Sequence, residues 1–290
     1  QLAFNESVKD IWASDHFGLL SKINVNQIQP VSEVPDSQKI QIKPGTILCL
    51  VLEPVYWKYL NTIRSKYDDG YSKIAPHVTL FQKFVSPEEF PQIRDQIHPR
   101  QQKVVFDHVE IFKLTQKLAV VLTTSEESSI IDLRANLEKC LNLKIDSRPH
   151  ITLAIVDSSQ TALRLKKEIG SCILKRHSIE VSLSSISFLH KCGPQYRVFD
   201  HIGSLRKTSV KDLIIDLVEN FCFIYQIELV GSRAYGIEDS DYDYILIGNL
   251  TIPSFSQQCV CLSKMSPYFK YVKFIDGRIP TLNLITQDGD

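Results

Sequence analysis

Charge of one sign is the first thing this sequence lacks. Its 33 lysine and arginine residues balance 33 aspartate and glutamate residues, so the formal net charge is +0. This excludes a general basic field that would attract nucleic acid, and any phosphate binding must come from a local site. No apolar run approaches the length that a bilayer requires, and no N-terminal signal pattern is present, so we expect no membrane partner.

Cysteine is present without the pattern of a disulfide framework or a zinc site. The seven cysteines are odd in number and scattered, and no Cys-x-x-Cys pair occurs. Several lie within apolar runs, as Cys49 does in the run 46–52, which is typical of buried thiols in a reducing compartment. We therefore expect an intracellular protein, cytoplasmic or nuclear. Because the chain starts at Gln1 and its only methionine is Met265, we also expect an excerpt of a longer protein.

Hydrophobic pattern and turn residues divide the chain into three parts. Residues 1–40 hold a short apolar stretch and a polar linker. Residues 41–202 predict the order strand, helix, strand, helix, two strands, helix, strand, helix and three strands, which indicates an α+β domain that uses one unit twice. Within it, Val104–Phe112 predicts one strand. Residues 205–290 open with an apolar helix and a strand that leads into a glycine-serine pair.

A capping box predicts one further helix in the middle part. Ser86 is followed by a proline and two glutamates, which places an acidic residue, Glu89, three positions after the capping serine. We expect a helix that runs from this box toward Ile97, although Pro91 weakens the prediction for its first turns.

An internal repeat carries the chemistry of the middle part. The pentapeptide Pro-His-Val-Thr-Leu at residues 76–80 is matched by Pro-His-Ile-Thr-Leu at residues 149–153. The two histidines, His77 and His150, are 150 − 77 = 73 residues apart, and each follows a predicted helix at the start of a predicted strand. A single His-x-Thr is ordinary in a strand, but a repeated match after similar secondary structure is not, which favours a functional interpretation.

Strand geometry places an imidazole and a hydroxyl on the same face of each motif. Residues i and i+2 of a strand point the same way, so His77 accompanies Thr79 and His150 accompanies Thr152. If both pairs face one cleft, one neutral imidazole can take a proton from water while the other, protonated, donates to a leaving oxygen. The threonine hydroxyls would then stabilise charge on the phosphoryl oxygens. This chemistry hydrolyses a phosphodiester without a metal or cofactor.

The paired motifs resemble the 2H phosphoesterases, which carry two His-x-Ser/Thr motifs. The resemblance covers residues 41–202 and implies a bilobal fold of two pseudo-symmetric antiparallel sheets with flanking helices. It implies catalytic roles for His77, Thr79, His150 and Thr152, and a 2′,3′-cyclic phosphate on RNA 3′ ends or nucleotides as the substrate. Which histidine is the base stays open. Cleavage of a 2′-5′ linkage or of a 3′ oligouridine tail stays open too, as do RNA-end binding without turnover and the oligomeric state.

A second motif lies in the last part of the chain. Gly231 and Ser232 are followed by Asp241 and Asp243, whose carboxylates share one strand face and suit divalent metal ions such as Mg²⁺. The string resembles nucleotidyltransferases of the polymerase-β type, which implies nucleotide binding by the glycine-serine pair and a partial palm over residues 205–290. The third carboxylate of that family has no convincing strand here, so we expect no nucleotide transfer by this chain alone. The alternative is an acidic turn between strands.

The N-terminal part contains a third, shorter motif. Ser14, Asp15 and His16 precede an apolar stretch and resemble the last motif of the endonuclease/exonuclease/phosphatase fold. That resemblance implies a C-terminal remnant of such a domain, in which Asp15 and His16 lack their metal-binding partners. A capped polar turn before a strand is the alternative. Taken together, the motifs predict a parent protein that joins several RNA-processing modules.

Overall fold

Two antiparallel sheets organise the middle of this chain in the computed structural model. The structure describes residues 42–141, 147–205, 207, 209–218, 224–236, 242–248, 266–275 and 281–286. The predictions for residues 1–40, for Asp241 and for a third carboxylate lie outside these ranges.

The strands in these ranges are, in chain order, β1 (Thr46–Val51), β2 (His77–Gln82), β3 (Lys103–Phe106), β4 (His108–Lys113), β5 (Leu118–Thr123), β6 (Ile151–Val156), β7 (Ile179–Ser182), β8 (Ser185–Cys192), β9 (Gln195–Gly203), β10 (Ile224–Val230), β11 (Asp243–Gly248), β12 (Phe269–Ile275) and β13 (Thr281–Thr286). The helices are α1 (Pro54–Tyr67), α2 (Phe90–Ile93), α3 (Glu127–Leu141), α4 (Ser159–Ile169), α5 (Val210–Val218) and α6 (Gly231–Ala234). A 3₁₀ segment, Arg94–Gln96, follows α2, and a π-helical turn, Gly170–Leu174, follows α4.

The first sheet has the spatial order β2-β1-β8-β9, and the second has the order β4-β5-β6. All neighbouring strands in both sheets are antiparallel. Strands β3 and β7 form a separate antiparallel pair. Strand β1 is buried along its whole length, as its continuous apolar sequence predicts. The two strands that carry the His-x-Thr motifs, β2 and β6, are both edge strands, and they approach each other.

Helices cover these sheets through apolar faces. Helix α1 begins with a proline, whose missing N–H costs nothing in a first turn, and buries Trp57 and Leu60. It packs against β6 and so joins the two sheets. Helix α4 starts at a serine cap, where the Ser158 hydroxyl accepts a hydrogen bond from the Thr161 N–H, and packs against all three strands of the second sheet. The expected α+β class, with antiparallel sheets and flanking helices, is confirmed.

Two sequence-based boundaries in the middle part were wrong. The predicted strand Val104–Phe112 is interrupted at Asp107, because its first half pairs with β7 and its second half pairs with β5. At the predicted capping box, the backbone N–H of Ser86 donates to Glu89 and the N–H of Glu89 donates to the Ser86 hydroxyl. Regular α-helix nevertheless starts only at Phe90, because Pro91 has no N–H to donate to a helix that begins earlier.

The last part of the chain is described as two hairpins. Strands β10 and β11 pair antiparallel around α6, and β12 pairs antiparallel with β13. Tyr268 and Phe269 are buried in the same hydrophobic core as the first sheet. In the described ranges these hairpins are separate two-stranded sheets, so a nucleotidyltransferase palm is not shown. No helix in the described residues is both long and apolar enough to span a membrane.

Candidate active site

The two His-x-Thr motifs enter their sheets in the same way. His77 is the first residue of β2 and is paired with Val51 of β1, while Thr79 is paired with Cys49. In the second sheet Thr152 is paired with Val121 of β5. Each motif strand therefore pairs with a central strand of its sheet, and one helix connects that central strand to the motif strand along the chain.

An irregularity of the ladder occurs at the same place in both motifs. In the first sheet the register shifts between Leu48 and Cys49, which leaves Leu80, the residue after Thr79, without a partner. In the second sheet the shift falls between Val120 and Val121, which leaves Leu153 unpaired. Both bulges thus follow the threonine directly. Because bulges re-aim neighbouring side chains, this equivalence extends the sequence repeat to the backbone.

Both histidines are anchored by the same hydrogen bond. The Nδ1 atom of His77 lies 2.8 Å from the carbonyl oxygen of Ala75, and that of His150 lies 2.8 Å from the carbonyl oxygen of Arg148. A carbonyl oxygen only accepts, so Nδ1 carries the proton in each ring. The Nε2 atom of each neutral imidazole then presents a lone pair, which is the form that a general base needs.

Both imidazoles are harder to protonate than a free histidine. Burial, assisted by the positive charges of Arg64 and of His150, lowers the pKa of His77 to about 4. Burial also lowers the pKa of His150, as do the charges of Arg134 and Arg148. Because His150 contributes to the pKa of His77, the two rings lie within electrostatic reach of each other.

The two threonine hydroxyls are available to a ligand. Thr79 and Thr152 are both half-buried. Within the described ranges neither hydroxyl has a hydrogen-bond partner in the protein. Two free hydroxyl donors therefore stand beside two imidazoles whose Nε2 atoms are unprotonated, an arrangement that suits an anion with several oxygens.

Two buried arginines were missed by the sequence analysis. Arg64 of α1 donates to the carbonyl oxygen of Ile74, three residues before His77. Arg134 of α3 donates to the carbonyl oxygen of Ser147, three residues before His150. No fixed spacing marks them in the sequence: each follows an apolar residue in the helix before its motif, but at different distances of 77 − 64 = 13 and 150 − 134 = 16 residues.

An aromatic ring on β4 is the other feature that the sequence analysis missed. The ring of Phe112 meets that of His150 edge-on, with centroids 5.2 Å apart, and the guanidinium of Arg148 lies 5.6 Å from the Phe112 centroid. Arg148 is fixed by salt bridges to Glu110, at 2.8 Å, and to Glu127. The ring thus lines one side of the His150 imidazole. No sequence signal separates Phe112 from an ordinary strand aromatic.

The sequence of the middle part matches a known family. Residues 52–192 match the 2'-5' RNA ligase superfamily. The middle of this chain is a domain of that superfamily. It is a superfamily of 2H phosphoesterases, so the resemblance stated from the paired motifs is confirmed for this part of the chain. No curated protein gives a significant match to the sequence.

Three solved structures are similar to a part of this chain. LigT of E. coli in complex with 3'-AMP is 14% identical, with a TM-score of 0.39, and the match covers 56% of this chain and 99% of LigT. A protein described as a phosphoesterase is 13% identical, with a TM-score of 0.39 and coverages of 56% and 98%. Usb1 of Kluyveromyces marxianus is 11% identical, with a TM-score of 0.35 and coverages of 57% and 100%. Similarity this low supports no statement about activity.

The second predicted site lies outside the superfamily domain. Gly231 has a positive φ of 69° and sits so close to Asp243 that a Cβ on it would lie 2.4 Å from the Asp243 Oδ2 atom. Ser232 is the second residue of α6 and is exposed, and Asp243 begins β11. The structure therefore brings three of the four predicted residues to one corner, while Asp241 lies outside the described residues. Nucleotide and Mg²⁺ binding at this corner stay predictions.

Among the described residues no group of three or more histidine, cysteine, aspartate or glutamate side chains is arranged to hold a metal ion. A cavity of about 420 Å³ lies beside the strand end at Val51, bordered by Ser185, Gln102 and Tyr268 among others. None of the four motif residues lines it.

Proposed function

We propose that the superfamily domain is a metal-independent phosphodiesterase that opens 2′,3′-cyclic phosphates at RNA 3′ ends or on nucleotides. The proposal rests on one observation: the duplicated presentation of an imidazole with its Nδ1 proton donated to a backbone carbonyl, and thus with Nε2 free. If the two rings only filled space in the fold, there would be no reason for both to hold the same tautomer next to a hydroxyl without a hydrogen-bond partner. Two groups that transfer protons on either side of one phosphate need their Nε2 atoms directed at the substrate, and this tautomer provides that.

The proposed reaction moves two protons and exchanges one bond at phosphorus. The neutral base accepts a proton from water at Nε2 as the water oxygen bonds to phosphorus. The protonated acid gives its Nε2 proton to the departing ribose oxygen as the bond between that oxygen and phosphorus breaks. The hydroxyls of Thr79 and Thr152 donate to the non-bridging oxygens, where charge increases during the attack. The product is an opened phosphate monoester, and the two histidines have exchanged protonation states.

The environments of the two histidines favour an assignment of these roles. Burial lowers the pKa of His77 to about 4, which keeps this ring neutral and its Nε2 lone pair available to accept a proton. His150 is in T-shaped contact with the Phe112 ring, and an imidazolium held over the face of that ring would be stabilised by the aromatic electrons. A bound phosphate anion raises the pKa of both rings, since it stabilises their charged forms. We therefore assign His77 as the base and His150 as the acid.

Incubation of an oligonucleotide that ends in a 2′,3′-cyclic phosphate, with excess EDTA, tests the proposal. The expected product has gained one water and carries a terminal phosphate monoester, as read by mass spectrometry. Substrates with a 2′-5′ linkage or a 3′ oligouridine tail are run in parallel. Shortening of those RNAs, with the cyclic end left intact, would replace the proposed substrate. Tight binding without any turnover would reject the enzymatic role altogether.

A further inference from the structure

Arg134 is a buried cation that connects the two motifs. Arg134 lies in helix α3, and only 4% of the residue is exposed to solvent. One guanidinium nitrogen donates to the carbonyl oxygen of Thr79 in the first motif, and another donates to that of Ser147, just before the second motif. Thr79 lies on the edge strand β2, where an outward carbonyl needs a donor from outside the sheet. Arg134 therefore links backbone groups from both sheets at the candidate active site.

The corresponding arginine in the first half has a different partner. Arg64 forms a buried salt bridge with Asp68, at 2.9 Å, and both side chains are almost inaccessible to solvent. Arg134 has no salt-bridge partner within the described ranges, and its Nε atom is buried without a hydrogen-bond acceptor. Burying a guanidinium without an anion is unfavourable. The first cation is thus bonded directly to a carboxylate. The second donates to neutral carbonyl oxygens, and the carboxylates of Glu138 and Glu127 act on it only through space.

The charge of Arg134 is felt at His150. It lowers the pKa of that histidine, after burial, together with the charge of Arg148. Arg148 is itself held by Glu110 and Glu127, which offset its charge, while the neutral Phe112 ring lies against the imidazole. Of these two cations near His150, Arg134 is therefore the one without a salt bridge to a carboxylate among the described residues.

We propose that Arg134 is a positioning residue that holds the two His-x-Thr motifs opposite each other and supplies a positive charge, not paired in a salt bridge, that draws a phosphate anion between them. This inference rests on the proposed function, because it assumes that the cleft binds phosphate. A hydrogen-bonded fork to two carbonyl groups fixes the spacing of the motifs. The remaining charge lowers the energy of an anion at the same place, in a region that solvent screens weakly.

Binding of inorganic phosphate tests the charge, without any need for turnover. In Arg134→Met, which keeps the apolar stem, we expect phosphate affinity to fall roughly tenfold or more, because one charge interaction at an effective dielectric constant of about 20 is worth more than a factor of ten over distances below about 12 Å. Arg134→Lys keeps the charge and should bind within a few-fold of the wild type. Arg164→Met is the matched control, since Arg164 is an exposed arginine of α4 that donates to the Tyr67 hydroxyl. Equal affinity in all four proteins would overturn the proposal.

Histidine titration by nitrogen-15 NMR separates positioning from simple structural support. Removing a nearby cation makes protonation easier, so Arg134→Met should raise the pKa of His150 and change that of His77 little, because Arg64 and His150 are the cations that act on His77. A folded variant with an unchanged His150 titration would contradict the inference. If Arg134→Met does not fold, the wild-type protein provides the test. Its Arg134 Nε–H resonance should shift when inorganic phosphate is added. A resonance that does not shift would contradict the proposal.

These readouts also separate the two proposals. A wild-type protein that binds phosphate through Arg134 but opens no cyclic phosphate would refute the proposed function and leave this inference standing. Conversely, a protein that opens cyclic phosphates while Arg134→Met binds phosphate as tightly as the wild type would keep the function and refute the inference.

Discussion

The two halves of the superfamily domain share a backbone design but differ in their electrostatics. In both, a strand, a helix and a motif strand place a histidine whose Nδ1 lies 2.8 Å from a carbonyl oxygen two residues earlier. Both contain a bulge after the threonine and a buried arginine in the helix. The difference lies in what that arginine bonds directly: Arg64 forms a salt bridge with Asp68, whereas Arg134 donates to carbonyl groups and has no salt bridge among the described residues.

This difference indicates how a duplicated unit can provide two unlike proton-transfer groups. In the proposed reaction, matching backbone geometry would bring two imidazoles to one phosphate, but a base and an acid need different protonation states during the same step. Enclosure and neighbouring charge can supply that difference without a change in the motif itself. The comparison predicts that both halves are necessary for activity. It also predicts that their histidines differ in pKa and that their buried arginines differ in how far stability depends on a carboxylate partner.

The largest expected effect follows from removal of either histidine. His77→Ala and His150→Ala should each reduce kcat for a cyclic-phosphate substrate by about 10²–10⁴-fold, the usual contribution of one general acid or base. Because the two groups act in one step, the double variant should lose much less than the product of the two single losses. Steady-state kinetics on the same RNA, with circular dichroism to verify folding, measures all three.

His98→Ala is the control for this experiment, because His98 is exposed and lies outside the strands of both sheets. Its activity should match that of the wild type. Near-normal turnover by either motif variant would show that one half alone carries the chemistry, and the equivalence of the halves would then be structural only.

The sequence predicted the part of the site that repeats at short range. His77, Thr79, His150 and Thr152 could be paired because strand alternation relates residues two apart, whatever the rest of the fold does. Arg64 and Arg134 could not be paired in this way. They lie in the preceding helices, 13 and 16 residues before their motif histidines, and the two separations differ because the loops between helix and strand differ in length. Their carbonyl acceptors depend on how two sheets meet, and a single sequence does not reveal this.

The same limit explains the boundary errors in the fold. The alternation across Val104–Phe112 is continuous, so the sequence alone predicts one strand. Only tertiary pairing shows that β3 pairs with β7 while β4 pairs with β5, with the break at Asp107. Local patterns thus predict strand identity well, whereas the partner of an edge segment depends on contacts far along the chain.

Loss of the Asp68 carboxylate should give the next largest effect. In Asp68→Asn the buried guanidinium of Arg64 would lose its counter-charge, and breaking one side of a buried pair destabilises by about 3 kcal/mol or more. Asp68 also accepts a hydrogen bond from the backbone N–H of Gly70 at 2.8 Å. Urea unfolding at neutral pH measures the change in the free energy of unfolding.

Glu180→Gln provides the matched control for that measurement. Glu180 pairs with Lys103 at 2.7 Å, but the two side chains are 38% and 59% exposed, and a solvent-exposed pair is worth at most about 1 kcal/mol. The two variants should therefore differ clearly in stability. A loss in Asp68→Asn no larger than in Glu180→Gln would mean that Arg64 needs its carboxylate no more than Arg134 does, and the proposed contrast between the halves would fail.

The smallest effect concerns pH and tests the roles of the two rings directly. In the free protein His77 should titrate at about 4, and His150 should titrate below the ordinary histidine value near 6.5. The base must be neutral and the acid protonated, so kcat/KM, which reports the free enzyme, should rise as pH increases through the pKa of His77. It should fall as pH increases through that of His150, with its maximum below pH 6.5.

The profile of kcat should lie at higher pH, because the bound phosphate anion stabilises both protonated rings. Titration of each ring by NMR, with and without inorganic phosphate, gives the assignment. If His150 proved to be the less readily protonated ring, the roles of base and acid would have to be exchanged between the halves.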